Sequence, residues 1–198
     1  MTRFLLIRHG MTDAIGKSIA SWTPGVRLND LGRRQAAELP ARIEHIPIHA
    51  IYSSPLERAL ETAQPLAEKR GLPVEIRDAF GEVRFGEFSG HTLEWLSQQP
   101  DWRAYEQFRS ATRAPGGELA VEVQARFVSE LDKIRAGRPG QTVAVFSHAD
   151  AIKAALALFL GVSLDLFDRI VVSPASVSVL ELARDGALVR RVNWTPEL

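Results

Sequence analysis

Two short apolar runs, each followed by a histidine, constrain this chain more than any other feature. The run Phe4–Ile7 is followed at once by Arg8 and His9. The run Thr142–Phe146 is followed, one serine later, by His148. Uninterrupted apolar runs of this length predict strands that are buried on both faces, as in parallel sheets covered by helices. Because ligands gather at the carboxyl ends of such strands, we expect the two histidines to share a site.

The rest of the chain alternates between strand and helix patterns, which predicts an α/β fold. Further strands are predicted at Ala50–Ser53 and Val74–Ile76, and helices at Leu31–Glu44, Pro55–Arg70, Val121–Ala136 and Ala149–Leu160, although Pro40 makes the end of the first helix doubtful. The segments Ser176–Leu182 and Leu188–Asn193 flank an Arg-Asp-Gly turn, which indicates an antiparallel hairpin. We therefore expect a three-layer α/β/α sandwich with a mostly parallel sheet.

One segment, residues 83–117, differs in composition from the rest of the chain. It is rich in aromatic residues, glycine, proline and glutamine, which predicts a loop followed by short helices over one end of the sheet. With this segment as an inserted cap, residues 1–198 are expected to form a single domain. Its aromatic residues are predicted to form a small core rather than a substrate cage; they are Trp95, Trp102, Tyr105 and Phe108.

An arginine near the second predicted strand points to an anion site. The strand Ala50–Ser53 leads into a helix whose first turn carries Arg58. This position is unfavourable for a cation because of the helix dipole, so an anionic partner is favoured. With Arg8 and the two histidines nearby, guanidinium forks and a helix N-terminus would surround one phosphate-sized anion. The helix itself is predicted to begin with a capping box between Ser54 and Glu57.

Composition argues against several classes of function. The 24 Lys and Arg residues balance the 24 Asp and Glu residues, whereas nucleic-acid binders usually carry a basic excess. Cysteine is absent, which excludes disulfides, thiolate metal sites and cysteine nucleophiles. No apolar stretch approaches the roughly 20 residues of a membrane span, and Phe4–Ile7 is too short for a signal peptide. We therefore expect a cytoplasmic protein that binds neither nucleic acid nor membrane.

Five motifs, in order along the chain, resemble those of the histidine phosphatase superfamily, the phosphoglycerate-mutase-like proteins. The matching segments are Arg8–Thr12, Leu28–Gly32, Ser53–Ala63, Glu82–Gly90 and Ser147–Ala149. Together they extend from position 3 to about position 160. Each motif is weak by itself, and it is their number and order that carry the resemblance.

The resemblance implies a metal-independent phosphatase that hydrolyses a small phosphomonoester through a phosphohistidine intermediate. His9 would attack the phosphorus, and Glu82 would protonate the leaving group. Arg8, Arg58 and His148 would hold the transferring phosphoryl oxygens. The resemblance implies no cofactor and a small phosphorylated metabolite as the partner, and it leaves the oligomeric state open.

The chain departs from the family's pattern beside both histidines. Ile15 stands where the family often has an asparagine, six residues after the nucleophile. The phosphate contact of that asparagine is therefore expected to come from Thr12 or Ser21. Ala149 replaces the usual glycine after the second histidine and still offers a backbone N–H. The expected substrate-binding residues are thus Arg8, Thr12, Ser21, Arg58 and Ala149.

Three alternatives remain beside the phosphatase hypothesis. A cofactor-dependent phosphoglycerate mutase is the first, but the longer acidic-loop region of the mutases is not found. A non-catalytic module that binds phosphorylated ligands is the second, although all the central residues are present. A zinc hydrolase is the third, and it lacks a credible ligand set. His45 and His49 have the spacing of a helical metal pair, but Pro47 interrupts the helix, so both are predicted to be surface residues.

Overall fold

The computed structural model describes residues 1–195, which contain a six-stranded sheet. Its strands are β1 (Thr2–Arg8), β2 (Ala50–Ser53), β3 (Val74–Ile76), β4 (Thr142–Ser147), β5 (Val177–Leu182) and β6 (Ala187–Trp194). They lie in the order β3-β2-β4-β1-β5-β6. The first four are mutually parallel, whereas β5 runs antiparallel to both β1 and β6. The mostly parallel sheet and the C-terminal hairpin are confirmed.

Helices cover both faces of this sheet. They are α1 (Asp30–Arg42), α2 (Glu57–Arg70), α3 (Leu93–Ser97), α4 (Pro100–Gln107), α5 (Ala120–Gly137) and α6 (Ala149–Leu160). Successive side chains of a strand point to opposite faces. Leu5 and Ile7 of β1 accordingly pack with α1 and α2, whereas Phe4 and Leu6 pack with α5 and α6. The predicted three-layer α/β/α sandwich is confirmed.

Two helices differ in detail from their predictions. Helix α1 continues through Pro40 and ends at Arg42. Pro40 is buried near the end of the helix, where its packing offsets the backbone hydrogen bond that it cannot make. In α5 the inward stripe begins at Val123, and Val121 is 43% exposed. The pattern of the predicted helix Val121–Ala136 would allow Val121 to face inward, but Val121 lies outside the stripe because the stripe follows the i, i+4 series through Phe127.

Residues 83–117, called the cap below, contain α3 and α4. Trp102 and Tyr105 of α4 are buried and join the main core beside α5. Trp95 and Phe108 are largely exposed. The predicted aromatic core is therefore confirmed for two of the four side chains and wrong for the other two, which lie on the outer side of short helices.

The pairing of the parallel strands brings three chain segments to one edge of the sheet. Arg8 of β1 is paired with Ser147 of β4, and Ser53 of β2 is paired with Phe146. The residues that follow each strand therefore lie side by side, as the strand patterns predicted. Within residues 1–195 no helix is both long and apolar enough to span a bilayer.

Candidate active site

A small cavity of about 170 Å³ opens at this edge of the sheet. The predicted site residues that line it are Arg8, His9, Thr12, Ser21, Arg58, Glu82 and Ala149. His148 is buried beside them, with its ring centroid 5.2 Å from that of His9. The fold thus brings together every residue that the motifs indicated, from segments far apart in sequence.

The loop after β1 is held by an unusually close approach of two backbones. Gly10 lies against Gly32 in the first turns of α1, and a Cβ on Gly10 would come within 2.7 Å of the Gly32 carbonyl oxygen. A Cβ on Gly32 would come within 2.1 Å of the Met11 carbonyl oxygen. Both positions therefore require glycine. This contact explains why the glycine of the second motif matters to a site that it does not touch.

The ring of His9 is held in one tautomer. Its Nδ1 lies 2.7 Å from the carbonyl oxygen of Gly10. Because a carbonyl oxygen only accepts hydrogen bonds, Nδ1 carries the proton and Nε2 of the neutral ring keeps its lone pair. The Nε of Arg58 donates to that Nε2 at 3.3 Å. Burial lowers the pKa of His9 well below its usual value, and the charges of Arg58 and Arg8 lower it further. The lowered pKa favours the neutral ring, in which the lone pair of Nε2 can act as a nucleophile.

Two guanidinium groups flank this ring. Arg58 is 2% exposed, and its Nη2 donates to the carbonyl oxygen of Ser21 at 2.8 Å. The Nη1 of Arg8 donates to the carbonyl oxygen of Val172 at 2.7 Å. Among residues 1–195, neither Arg58 Nη1 nor Arg8 Nε has a hydrogen-bond partner. Buried N–H donors without partners are uncommon, and a phosphoryl group would satisfy them with charge-assisted bonds.

The ring of His148 is held by a serine that the sequence predicted to cap helix α2. Its Nε2 lies 2.7 Å from Oγ of Ser54, which also accepts a hydrogen bond from the backbone N–H of Leu56. Helix α2 begins at Glu57, and no side chain caps it. The predicted capping box of Ser54 with Glu57 is therefore wrong, because the serine hydroxyl turns toward His148. Burial, with Arg58 and His9 nearby, lowers the pKa of His148 well below its usual value.

Glu82 supplies the carboxyl group of the cavity. Its Oε1 accepts hydrogen bonds from the backbone N–H groups of Val83, at 3.0 Å, and Ala151, at 3.2 Å. Burial raises the pKa of this carboxyl, and the nearby negative charge of Asp150 raises it further. Glu82 therefore keeps its proton at a higher pH than a free glutamate, as a proton donor requires.

Arg126 of α5 contacts the segment that carries Glu82, and the sequence did not reveal this contact. Its guanidinium donates to the carbonyl oxygens of Ala79, Gly81 and Glu82, at 2.7, 2.9 and 2.8 Å. The same group pairs with Glu118. These bonds fix the backbone that carries the Glu82 side chain. An arginine on an amphipathic helix is normally interpreted as solvent-facing, so no sequence signal marked it.

The two hydroxyls proposed to replace the missing asparagine are not equivalent. Ser21 Oγ donates to the carbonyl oxygen of Val83 at 3.0 Å and accepts from the N–H of Phe85 at 3.1 Å. It thus ties its own loop to the cap. Thr12 Oγ1 is buried and has no partner within the described part of the chain. The Thr12 hydroxyl is the one left available to a ligand.

Beyond these groups the cavity has apolar walls and one further carboxylate. The walls come from the loop after β1 and from the cap; they include Ala14, Ile15, Ile19, Ala20, Phe85 and Leu93. The carboxylate is that of Asp150, in the first turn of α6. Sequence reasoning missed it, because only the folded chain places it beside Glu82. In residues 1–195, no three His, Asp or Glu side chains are grouped as a metal site needs.

The two histidines predicted to lie at the surface do not line this cavity. His45 and His49 are both exposed. The Nδ1 of His49 accepts a hydrogen bond from the backbone N–H of Thr142 at 3.1 Å. The interpretation of His45 and His49 as surface residues is confirmed.

The site therefore suits a phosphate-like anion. It contains a neutral histidine that can attack the anion, two arginines with donors that have no partner, and a carboxyl group of raised pKa that can protonate a leaving group. In agreement with this geometry, residues 4–195 match the model of the histidine phosphatase superfamily (branch 1). The chain belongs to this superfamily. The sequence resemblance to the family is thereby confirmed.

Three individual proteins show how similar the chain is to named relatives. A bifunctional protein of Mycobacterium tuberculosis is 36% identical over 198 residues, which are 98% of this chain and 54% of that protein. The chain thus spans about half the length of that relative. Phosphoserine phosphatase 1 of Hydrogenobacter thermophilus is 29% identical over 202 residues, with 100% of this chain and 95% of that protein covered. A mycobacterial glucosyl-3-phosphoglycerate phosphatase has a similar structure, with a TM-score of 0.86, 28% identity and 98% and 99% of the two chains covered.

Proposed function

We propose that this chain hydrolyses small phosphomonoesters through a phosphohistidine formed on Nε2 of His9, with no metal ion in the reaction. The observation that carries the proposal is the tautomer of His9. Its Nδ1–H donates to the carbonyl oxygen of Gly10, with 2.7 Å between Nδ1 and oxygen, so the lone pair of Nε2 is available in a cavity that also contains two guanidinium groups. Similarity to proteins named as phosphatases supports the same chemistry.

In the first step Nε2 of His9 attacks the phosphorus, and the bond between phosphorus and the ester oxygen breaks. The leaving alkoxide takes the proton of Glu82, whose raised pKa keeps that proton available. Arg8 and Arg58 donate to the phosphoryl oxygens, where charge is concentrated in the transition state. His148 adds a further donor, because a bound phosphoryl dianion favours its protonated form.

In the second step water attacks the phosphorus of the phosphohistidine. The Glu82 carboxylate takes a proton from that water, the P–N bond breaks and inorganic phosphate is released. His9 is returned as a neutral ring and Glu82 as a neutral acid. The cycle therefore closes without a cofactor. Thr12 Oγ1 and the backbone N–H of Ala149 are proposed as additional phosphate contacts, and Ser21 as the residue that positions the loop for Arg58.

The test is phosphate release from an aryl phosphate in the presence of EDTA, with wild type and His9→Ala compared. Activity that resists the chelator and is lost in the variant supports the proposal. Rapid acid- and alkali-quench experiments then test for a phosphoenzyme that is labile in acid and stable in alkali, as phosphohistidine is. Activity that the chelator abolishes would overturn the metal-independent mechanism. Phosphate transfer only between positions of phosphoglycerate would favour the mutase alternative.

A further inference from the structure

The cavity is lined by cationic and by acidic side chains. Arg8 and Arg58 line it together with His9, where the phosphoryl group is proposed to bind. The only other ionisable side chains that line the cavity, among residues 1–195, are those of Glu82 and Asp150. The walls beyond them are apolar. A leaving group in this cavity would therefore meet two acidic residues and no third cation.

The charge of Asp150 interacts with Lys153, Arg109 and Arg8, each of which also has another partner. Its side chain is 22% exposed, and its Oδ1 lies 3.5 Å from Nζ of Lys153. That ammonium group is closer to Asp168, with 2.8 Å between Nζ and Oδ1. Asp168 in turn also pairs with Arg109 at 2.8 Å. Lys153 is thus shared between two carboxylates, and the Asp150 carboxylate retains acceptor capacity at the cavity wall.

We infer that the site selects phosphomonoesters with a small leaving group that carries an ammonium group, and that Asp150 is the residue that determines this preference. The inference rests on the proposed function, since it concerns the group that leaves after attack on phosphorus. An ammonium group gains an ion pair with Asp150. A carboxylate would be desolvated beside a like charge, and the only cations that line the cavity, among residues 1–195, are the two proposed to hold the phosphoryl group. The volume of about 170 Å³ is below the roughly 300–1,000 Å³ of pockets for drug-sized ligands, so a small leaving group fits the cavity.

Three esters with two-carbon leaving groups test this inference. They are 2-aminoethyl phosphate, 2-hydroxyethyl phosphate and 2-phosphoglycolate, which differ chiefly in the positive, neutral or negative end of the leaving group. We expect kcat/KM to fall in that order. The difference between the first and the last is expected to be at least about tenfold, because a charge pair in a partly buried site is worth that much.

The decisive measurement is the preference in Asp150→Asn. The amide keeps the shape of the side chain and removes its charge, so the ratio of kcat/KM for the ammonium and carboxylate esters should fall at least fivefold, or about 1 kcal/mol. Intrinsic differences between the esters cancel in this comparison of ratios. Glu106→Gln, at an exposed position of α4, is the matched control and should leave the ratio unchanged.

The outcomes separate this inference from the proposed function. A wild type that prefers 2-phosphoglycolate, or a ratio that stays within twofold in Asp150→Asn, overturns the role of Asp150. Hydrolysis of an aryl phosphate without hydrolysis of any of the three esters overturns the inferred leaving group alone. Failure to release phosphate from all four compounds overturns the proposed function and the inference together.

Discussion

The residues proposed to hold the phosphoryl group, called the phosphate end below, differ in their setting from those proposed to contact the leaving group, called the leaving-group end. At the phosphate end, His9 and His148 directly follow β1 and β4, and Arg58 lies in the first turn of α2. These side chains are buried, and their backbones continue regular elements. At the leaving-group end, the loop after β1 meets the cap through backbone bonds, including Ile19 N–H to His91 O at 3.0 Å and Leu93 N–H to Lys17 O at 2.9 Å.

This difference separates the residues proposed to carry out phosphoryl transfer from those proposed to select the substrate. Groups that must be aligned with phosphorus gain from attachment to elements that the whole core holds in place. Groups that only contact the leaving group can lie on loops, which tolerate change because few buried contacts depend on them. Asp150, in the first turn of α6, is the exception. Glu82 belongs to both ends, since its loop is fixed from the core side by Arg126. Five substitutions test this separation, in decreasing order of expected effect.

The largest effect is expected from His9→Ala. Removal of the nucleophile should lower kcat by at least about a thousandfold for every phosphomonoester, whatever its leaving group. Steady-state phosphate release measures it, and circular dichroism checks the fold. His45→Ala, an exposed position, is the control and should retain activity. A His9→Ala variant with more than about a tenth of wild-type activity would contradict the assignment.

Arg58→Lys should reduce kcat/KM about a hundredfold for all substrates. Lysine keeps the charge but loses the planar fork, and it cannot donate both to His9 and to the Ser21 carbonyl. The measurement is kcat/KM for an aryl and an alkyl phosphate, which should fall equally. Arg34→Lys, at an exposed position of α1, is the matched control. A loss confined to one class of ester would place Arg58 at the leaving-group end instead.

Glu82→Gln should slow some esters more than others, according to whether the leaving group needs a proton. An alkyl alkoxide needs a proton as it leaves, so its ester should lose about a hundredfold in kcat. A nitrophenolate leaves without a proton, so p-nitrophenyl phosphate should lose less than about tenfold. The two rates are measured side by side in both proteins. An equal loss for both esters would show that Glu82 does not act as the acid.

Arg126→Gln should have a smaller effect of the same kind. The shorter amide cannot reach three carbonyl oxygens, so the Glu82 loop loosens and hydrolysis of alkyl esters falls about tenfold. The free energy of unfolding should also fall by about 1–3 kcal/mol, because buried acceptors lose charged donors. Chemical denaturation and kinetics measure both effects. Arg135→Gln on the same helix serves as the control, and unchanged kinetics for Arg126→Gln would deny the positioning role.

The smallest effect is expected from Asp150→Asn on the pH profile. In the proposed mechanism activity requires protonated Glu82, so kcat/KM is expected to fall as pH rises through the pKa of Glu82, which burial and the charge of Asp150 raise. Without that charge the pKa of Glu82 is lower, and the descending limb should move to lower pH. Profiles are compared with one substrate, so that its own ionisation cancels. A limb that stays in place, or moves to higher pH, would contradict the coupling.

Much of this site was predictable because its signals are local. Each signal lies in a short stretch of sequence. The signals are the apolar runs before His9 and His148, the arginine in the first turn of α2, and each of the motifs. Strand pairing then had few alternatives, since residues that follow parallel neighbours must meet at one edge. Fold class and the central residues of the site therefore followed from the chain alone.

Only the tertiary structure decided which partners these residues take. The hydroxyl of Ser54 could cap helix α2 or bond to His148. Its packing against β4 directs it to His148. Arg126 acquired its three carbonyl acceptors, and Asp150 its place beside Glu82, through contacts between distant segments. Hydrogen bonds and charge interactions depend on distance and direction in space, whereas sequence records only spacing along the chain. The sequence thus determined which residues line the site, and the fold determined their hydrogen-bond partners, their orientation and the direction of their pKa shifts.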